Sequence, residues 1–394
     1  MHYWGEYDVV VAGGGIAGVA SAIEAARCGV SVALVEKTVL LGGLATTGLI
    51  LVYLPLCDGN GTQVTFGIAE ELLHLSLRYG PGEVPKGWRE GADLEEPSRY
   101  RVVFNPASFA LALDEVVEEA GIEVWLDTLV TRPMVENGRV VGLEVENKGG
   151  RGELRGRCLV DATGDADLAW RAGAPCVEGR NWLSLWVLEV DASDGGAGSA
   201  LPKMTWVGSD ANGRGQPGDA PQLSGCGPRD ATEFVLAGRR LLRERYRDCY
   251  QSGKATRETL YPVTLPAMPQ FRTVRRIVGR DGMRPGQAGM ARADSIGLVA
   301  DWRRAGPVWE IPYGALLPQG VESLVVAGRC LDAEGDAWEV ARVIPPAALT
   351  GQAAGAAAAL AVRAQTTPDL LDVGALQEHL RRRGVRLHLS EVGL

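Results

Sequence analysis

The segment Asp8-Val-Val-Val-Ala-Gly-Gly-Gly-Ile-Ala-Gly18 decides the fold of this chain. Val9 to Ala12 form a short apolar run typical of a buried strand, and Ile16 to Cys28 have helical periodicity. Between them the glycines follow the spacing G-x-G-x-x-G: Gly13, Gly15 and Gly18. The first permits a tight turn, the second lets a pyrophosphate approach the backbone, and the third allows close helix–strand packing. Because a helix N-terminus also attracts anions, the segment predicts a loop that binds a dinucleotide phosphate.

An acidic residue follows the next predicted strand. The apolar run Ser31 to Val35 ends in Glu36, where a carboxylate can accept hydrogen bonds from the ribose hydroxyls of an adenosine. A glycine pattern alone is weak, since such turns also occur where no ligand binds. The combination of strand, turn, helix and acid favours the dinucleotide site over a purely structural turn.

The composition describes an ordinary globular protein with a small-molecule partner. The chain has 394 residues, of which 46% are hydrophobic and 23% charged, enough for a large core and two or three domains. No apolar run approaches a membrane span, and no secretion signal precedes the first strand. We therefore expect no membrane segment and a cytoplasmic location. A net charge of −9 without a basic stripe argues against nucleic acid.

The seven cysteines show no zinc-like or C-x-x-C pairing, so the sequence predicts buried thiols and no metal centre. A second glycine-rich turn, residues 42–48, follows Glu36, and its small residues suit close approach to a diphosphate or a flavin ring. A flexible connector would have a similar composition.

The order of elements predicts an α/β fold. After a helix from Asn105 to about Ala120, short strands from about 129 to 156 alternate as a β-meander that turns at Asn137-Gly138. This meander is expected to cross over to a further strand at 157–160. A Trp-containing segment from 181 to 300 then predicts a separate lobe, with residues 191–228 largely loop and a long arginine-rich helix from 231 to 250. The expected domains are 1–180, 181–300, the return segment 301–372, and a C-terminal helix and tail at 373–394.

Four motifs resemble a known family: GGGIAG with Glu36, LGGLATTG at 41–48, DATGDAD at 161–167, and the run from 324 to 355. Together they resemble the FAD-dependent oxidoreductases with the glutathione-reductase-type (GR2) FAD fold, in particular the flavoproteins similar to fumarate reductase and thiazole-biosynthesis proteins. The resemblance implies a Rossmann-type FAD-binding domain with a parallel sheet and a β-meander crossover, into which an α+β substrate lobe is inserted.

The resemblance also implies which residues bind FAD. The second signature would lie near the adenosine and ribityl parts, Gly328 and Arg329 near the pyrophosphate, and the helix starting near Pro346 would direct its N–H groups at the flavin. The full set of implied cofactor-binding residues is Gly13, Gly15, Ile16, Ala17, Gly18, Glu36, Lys37, Gly42, Gly43, Leu44, Ala45, Thr46, Val130, Ala162, Thr163, Gly164, Asp165, Gly328, Arg329, Arg342, Pro346 and Ala347.

Catalytic residues are implied by the run PQFRTVRRIVG at 269–279, which resembles a family motif with arginines near the flavin. On a strand, Arg272 and Arg276 would share one face and Arg275 the other, so the first two are expected at the substrate and Arg275 in solvent or a salt bridge. The alternative is that all three only pair with acids. Where relatives commonly carry a His-Glu pair, this chain has Gly335 and Asp336. The missing imidazole leaves Asp336, Glu334 or Tyr313 as acid/base candidates, or a reaction that needs none.

The leading hypothesis is an FAD-dependent oxidoreductase that moves a hydride between a small organic substrate and the flavin. No second G-x-G-x-x-G follows a strand, so an external electron acceptor or oxygen would complete the cycle. The alternatives are a flavin monooxygenase or halogenase, since Trp309 to Pro312 fits part of a halogenase motif, and a non-catalytic dinucleotide-binding scaffold. Either a monomer or a homodimer is compatible with the sequence.

Overall fold

The computed structural model describes residues 2–84, 101–192, 202–210, 215, 220 and 222–394. Its strands are β1 (His2–Ala12), β2 (Val32–Val35), β3 (Val52–Tyr53), β4 (Val102–Val103), β5 (Glu123–Trp125), β6 (Leu129–Glu136), β7 (Arg139–Asn147), β8 (Gly150–Asp161), β9 (Cys176–Glu178), β10 (Ser184–Asp191), β11 (Lys203–Gly208), β12 (Leu260–Thr264), β13 (Arg275–Ile277), β14 (Ser295–Ala300), β15 (Val308–Pro312) and β16 (Leu324–Val326). Its α-helices are α1 (Ile16–Arg27), α2 (Ile68–Leu75), α3 (Pro106–Glu119), α4 (Asp167–Arg171), α5 (Asp230–Gln251), α6 (Gly335–Ala341), α7 (Ile344–Arg363) and α8 (Val373–Arg382).

A mainly parallel sheet forms the centre of the fold. Its strands lie in the order β5-β2-β1-β8-β7-β6, and β16 pairs with the C-terminal part of β8. The pairs β1/β2, β2/β5, β1/β8 and β8/β16 are parallel, whereas β7 runs antiparallel to both β6 and β8. Every residue of β2 and β16 is buried, as expected for parallel strands with covered faces. The predicted α/β fold with a parallel sheet and a meander crossover is confirmed.

The meander turns where the sequence predicted. Its last strand, however, is continuous with the strand that was expected to follow it. Asn137 and Gly138 have φ values of 52° and 83°, the left-handed conformations that a tight two-residue hairpin requires. The segments 153–155 and 157–160, predicted as separate strands, form the single strand β8. The prediction missed this because a long strand paired on both sides does not need a turn at Gly156.

Two helices, α1 and α7, pack against each other at unusually close range. Gly351 and Gly355 of α7 lie against the backbone carbonyls of Ala17 and Ser21 in α1, and a Cβ at either glycine would collide with them. Most of α7 is buried, and the alanine-rich sequence gives it a narrow, apolar surface on all sides. This close packing fixes the helix that follows the glycine-rich turn.

The chain divides into two compact units. The first comprises Met1–Gly43, Val52–Val177 and Arg275–Leu394, and it contains the central sheet with α1 and α7. The second comprises Leu44–Leu51 and Glu178–Val274. The second unit therefore ends before the expected boundary at residue 300, and it includes part of the second glycine-rich turn.

The second unit is a small α+β structure with its own sheet and helix. Its antiparallel sheet has the order β11-β10-β12, and α5 packs on one face through a cluster that includes Leu185, Val187 and Leu242. The buried carboxylate of Glu189, on the same strand, accepts bonds from Arg245 and Tyr246 of α5. The prediction of a largely irregular segment at 191–228 missed β11, and part of that segment lies outside the described residues.

Among the described residues, no single helix combines the length and the apolar character needed to cross a bilayer. The pair α6 and α7 meets that criterion only jointly, with a bend of 82° between them.

Candidate functional site

The glycine-rich turn after β1 is built as the sequence predicted. Gly13 has a φ of 101°, and a Cβ there would lie 2.5 Å from the carbonyl oxygen of Ala162. A Cβ at Gly18 would collide with the carbonyl oxygen of Gly13. By contrast, a Cβ at Gly15 would meet no atom within 4 Å. Two of the glycines are thus required by packing, and Gly15 alone borders open space.

Gly15 is also the N-cap of α1, where it supplies no side chain to cap the helix, and no acidic residue lies in the first turn. The N-terminal N–H groups of an α-helix have no partner within the helix and carry partial positive charge. Ile16 and Ala17, the first two residues of α1, therefore present an anion-binding end beside the open space.

Glu36 lies at the end of β2 next to this turn. Its carboxylate is buried and accepts hydrogen bonds from the backbone N–H of Gly14 at 2.7 Å and of Thr38 at 2.8 Å. Each carboxylate oxygen accepts one of these bonds and retains acceptor capacity for another donor. The side chain is thus held in place by the main chain, with its remaining acceptor capacity available to a ligand.

The second glycine-rich turn adjoins the first. Gly42 pairs with Gly15 and donates its N–H to the carbonyl of Gly14 at 2.8 Å, and a Cβ on Gly43 would lie 3.1 Å from the Cα of Gly15. The next expected site residues, Leu44, Ala45 and Thr46, belong to the second unit. Gly13, Gly15, Glu36 and Gly42 therefore come together within the first unit.

The turn after β8 is organised by Asp161. This fully buried carboxylate accepts hydrogen bonds from the N–H and hydroxyl of Thr163 and from the N–H groups of Leu168 and Ala169. The turn thereby positions Ala162 to Asp165 at the carboxyl edge of the sheet, where ligands bind in folds of this type. Asp161 itself has a structural role that the sequence did not reveal.

Arg329 follows β16 and closes onto this turn. Its guanidinium pairs with Asp165 at 2.6 Å and covers Gly164, where a Cβ would lie 3.0 Å from the guanidinium carbon. The neighbouring Gly328 has a φ of 82°, and its N–H donates to the hydroxyl of Thr350 in α7. Two expected binding segments, 162–165 and 328–329, are thus in direct contact.

The N-terminus of α7 has the same character as that of α1. Its N-cap, Val343, makes no side-chain cap, a proline occupies the first turn, and no acidic residue lies there. Pro346 and Ala347, both expected to bind the cofactor, belong to this first turn. The helix end therefore presents a second anion-binding position.

Three further expected binding residues have other surroundings. Lys37 is exposed. The carbonyl of Val130 accepts a bond from Arg171. Arg342, which follows α6, pairs with Glu339 of that helix, and its guanidinium lies 5.9 Å from the ring centroid of Trp302. The cofactor role expected of these three residues remains a prediction.

The three arginines at 272–276 are arranged differently from the expectation. The prediction that Arg272 and Arg276 share a strand face is wrong, because β13 begins only at Arg275. Arg275 forms the expected salt bridge, to Asp167 at 2.8 Å, and its guanidinium lies 4.5 Å from the ring centroid of Trp170.

Arg276 is one of two arginines around a fully buried aspartate. It donates to Asp332 and to Glu334, each at 2.7 Å. Arg284 bonds both oxygens of Asp332, which also accepts the N–H of Gly279. Arg276 is thus committed to a buried ion-pair network, which supports the alternative of pairing with acids. Asp332 and Arg284 were not singled out from the sequence, and no local motif marks them.

The other expected catalytic residues also have defined partners. The Tyr313 hydroxyl is buried and donates to the carbonyl of Pro368 at 2.8 Å, and burial raises its pKa above the usual value. Asp336 is exposed at the start of α6 and pairs with Arg303 at 2.8 Å, which lowers its pKa. An ionised Asp336 cannot donate a proton, and Tyr313 would have to break its bond to act. In the second unit, Arg272 donates its backbone N–H to Asn181.

Comparison with known proteins agrees with this geometry. The family model described as FAD dependent oxidoreductase matches residues 8–187 and 288–380, more than half of the chain. The chain belongs to the FAD dependent oxidoreductase family. The unmatched interval, 188–287, falls largely within the second unit.

Curated relatives of this FAD dependent oxidoreductase match it over less than half their length. A digeranylgeranylglycerophospholipid reductase from Methanoculleus marisnigri is 27% identical over 43% of this chain and 42% of its own. The digeranylgeranylglycerophospholipid reductase 1 of Methanopyrus kandleri is 31% identical over 40% of each chain. Among solved structures, a geranylgeranyl bacteriochlorophyll reductase-like protein from Thermoplasma acidophilum is 14% identical, with a TM-score of 0.49 over 96% of this chain and 82% of its own.

FAD is the cofactor of the family, and the residues present fit it. The open space at Gly15 and the uncapped start of α1 suit a diphosphate, which needs N–H donors and close approach to the backbone. The fixed carboxylate of Glu36 suits a ribose diol beside that diphosphate. The uncapped start of α7 suits a further electron-rich group.

Proposed function

We propose that this chain is an enzyme that moves a hydride between a small organic substrate and bound FAD. The observation that carries the proposal is the open space at Gly15, which lies between an uncapped helix end and the fixed carboxylate of Glu36. Neither the backbone conformation of Gly15 nor its neighbours exclude a side chain, so the glycine supports a ligand at this turn. Reduction of the bound flavin by or for a substrate is what separates the enzyme from a non-catalytic dinucleotide-binding scaffold.

Within this proposal, each segment of the first unit has a binding role. Gly13 to Gly18 would hold the diphosphate, Glu36 the ribose, and the contacting segments 162–165 and 328–329 the adjoining parts of the cofactor. The start of α7, at Pro346 and Ala347, would stabilise negative charge on the flavin. When bound, FAD supplies the hydride acceptor or donor, so the protein needs to position and polarise the substrate.

Of the expected catalytic residues, Arg272 is the one proposed to bind an anionic or carbonyl group of the substrate, and its guanidinium also donates to the Ser184 hydroxyl at 3.4 Å. Arg276 pairs with Asp332 and Glu334, and Asp336 pairs with Arg303. Because a hydride transfer does not require a protein acid in every case, the absence of a histidine at position 335 is compatible with the proposal.

An external electron acceptor or oxygen would complete the cycle. A cytoplasmic location and a monomeric or homodimeric state remain predictions.

The reaction to test first is reduction of a digeranylgeranylglycerophospholipid, for which the curated relatives are named. The purified protein should be yellow and should lose its flavin absorbance with dithionite. Anaerobic addition of that lipid to the reduced protein should then restore the absorbance. If it does not, a panel of small carboxylates and alcohols added to the oxidised protein tests the reverse direction.

Two outcomes separate the alternatives. A colourless protein that takes up no added FAD would support the scaffold and contradict an FAD enzyme. Rapid reoxidation by oxygen that yields a hydroxylated or halogenated product would identify a monooxygenase or halogenase instead of a simple reductase. The Gly15→Val variant, which should lack FAD, is the control for absorbance changes that do not depend on the site.

A further inference from the structure

A buried carboxylate lies in the C-terminal half of α1. Glu24 has no solvent-exposed surface, and its oxygens accept hydrogen bonds from Gln352 of α7 at 2.9 Å and from Arg383, just after α8, at 2.9 Å. An ionised carboxylate inside a protein needs such partners, because its desolvation costs several kcal/mol, on the order of a folding free energy. Helix α8 therefore packs on α1 and α7 through a charged cluster.

Two further side chains of types that can bind metals lie beside Glu24. Cys28 lies one helical turn after Glu24 and is buried, and His379 of α8 faces both. The His379 Nε2 atom is 2.8 Å from Glu24 Oε1 and 3.6 Å from Cys28 Sγ, and the Sγ is 4.0 Å from Glu24 Oε1. Three different potential ligand atoms thus form one small triangle.

The size of this triangle fits a tetrahedral zinc ion. Zinc binds sulfur at about 2.3 Å and nitrogen or oxygen at about 2.0–2.2 Å, so its ligand atoms lie about 3.3–3.6 Å apart. The three distances around Glu24, Cys28 and His379 each lie within about 0.5 Å of that range. On zinc binding the separation of His379 Nε2 and Glu24 Oε1 would widen and that of Cys28 Sγ and Glu24 Oε1 would shorten.

Other groups around the triangle are compatible with a metal. Gln352 holds the second oxygen of Glu24 and would orient it as a ligand, as partners of metal ligands commonly do. The Arg383 guanidinium donates from Nε to Glu24 Oε1 at 2.9 Å, the same oxygen that His379 contacts, so a bound zinc ion would share Oε1 with Arg383. Arg383 also donates to the backbone carbonyl of Arg27. A zinc ion that replaces the thiol proton and the proton between His379 and Glu24 leaves the net charge beside Arg383 unchanged.

We propose that Glu24, Cys28 and His379 form a zinc site that ties α8 to α1, with water as the fourth ligand. The ion binds with release of the thiol proton of Cys28 and of the proton shared by His379 and Glu24, and no oxidation or reduction occurs. The site is separate from the cofactor site and does not depend on the proposed hydride transfer.

The test uses the whole, FAD-loaded protein and zinc chloride. After equilibrium dialysis against buffered free zinc, elemental analysis should find about one ion per chain in the unmodified protein. Cys28→Ser and His379→Gln should each lower the bound zinc at least tenfold. Cys249→Ser and His74→Gln, which change the same residue types elsewhere, should leave it unchanged.

Two results would overturn the proposal: no zinc retained by the unmodified protein, or retention that is equal in Cys28→Ser. If the variants do not fold, X-ray absorption at the zinc edge of the unmodified protein decides the question. One sulfur with nitrogen and oxygen ligands supports the site, and a shell without sulfur excludes it. Since FAD content is measured in the same samples, a failure of the cofactor proposal is detected separately.

Discussion

At the residue scale, Gly15 separates ligand binding from folding. Its backbone has a φ of −67°, which any residue can adopt, and a Cβ there meets no protein atom within 4 Å. We therefore expect Gly15→Val to fold with a free energy of unfolding within about 1 kcal/mol of the unmodified protein. Its side chain would occupy the space of the diphosphate, so the variant should retain no FAD after gel filtration, as read from the flavin absorbance.

The matched control is Gly18→Ala, three residues along the same turn. Its new methyl group would collide with the carbonyl oxygen of Gly13, so this variant should lose about 1–3 kcal/mol of stability. If Gly15→Val holds FAD normally, the loop does not bind the diphosphate.

Glu36 combines two roles that can be measured apart. Replacing it with alanine removes the acceptors for Gly14 and Thr38 and also the expected acceptor of the ribose. Because hydrogen bonds to a charged acceptor contribute about 1.5–3 kcal/mol, Glu36→Ala should weaken FAD binding at least tenfold in a fluorescence titration. Lys148→Ala, at an exposed position between β7 and β8, should bind FAD as before. Equal affinities in the two variants would remove Glu36 from the site.

Arg276 is expected to act on stability and not on turnover. Its guanidinium bridges the buried Asp332 and the partly exposed Glu334, and lysine cannot reproduce that fork. Arg276→Lys should therefore lower the free energy of unfolding in urea by about 1–3 kcal/mol, while flavin reduction per folded molecule stays the same. Arg272→Lys is the comparison, for which we expect slower reduction and little change in stability. If Arg276→Lys instead slowed flavin reduction and Arg272→Lys lowered stability, Arg276 would be the substrate-binding residue and Arg272 the structural one.

At the element scale, the contact between α1 and α7 determines how the first unit holds its turn. Gly351→Ala would place a methyl group on the carbonyl oxygen of Ala17, which forces the helices apart. We expect it to lower the free energy of unfolding by about 1–3 kcal/mol, although alanine favours a helix more than glycine does. Gly374→Ala in α8, where a Cβ has ordinary contacts, should be neutral or slightly stabilising. Both are measured by urea unfolding monitored by circular dichroism.

The elements that sequence predicted well are those set by local chemistry. The G-x-G-x-x-G spacing predicted the start of α1, and the Asn137-Gly138 pair predicted the hairpin between β6 and β7. Both turns contain residues with positive φ, a backbone conformation that few residue types adopt readily. The strand from Arg272 was predicted wrongly because alternation over so few residues does not fix where pairing begins. Contacts between distant segments had no local signal: Asp332 with Arg276, and Glu24 with His379, are brought together only by the fold.

At the scale of the whole molecule, the family match and the division into units coincide in part. The matched residues hold the cofactor segments of the first unit, and the unmatched interval holds α5 and most of the small sheet of the second. Relatives also match over only about two fifths of their length. The residues expected to bind the cofactor in the first unit are therefore ones that the family model matches.

This division predicts where FAD protects the chain. A ligand that binds only the folded state stabilises it by about 2.7 kcal/mol at a hundredfold excess over Kd, and the segments it touches should open least. In hydrogen exchange followed by mass spectrometry, added FAD should slow exchange at residues 13–20, 36–43, 161–169 and 343–350. Amides in the middle of α5, in the second unit, should exchange at an unchanged rate. The Gly15→Val variant should show no FAD effect at any of these segments. Protection confined to α5, or equal protection in the variant, would mean that FAD binds somewhere other than the glycine-rich turn.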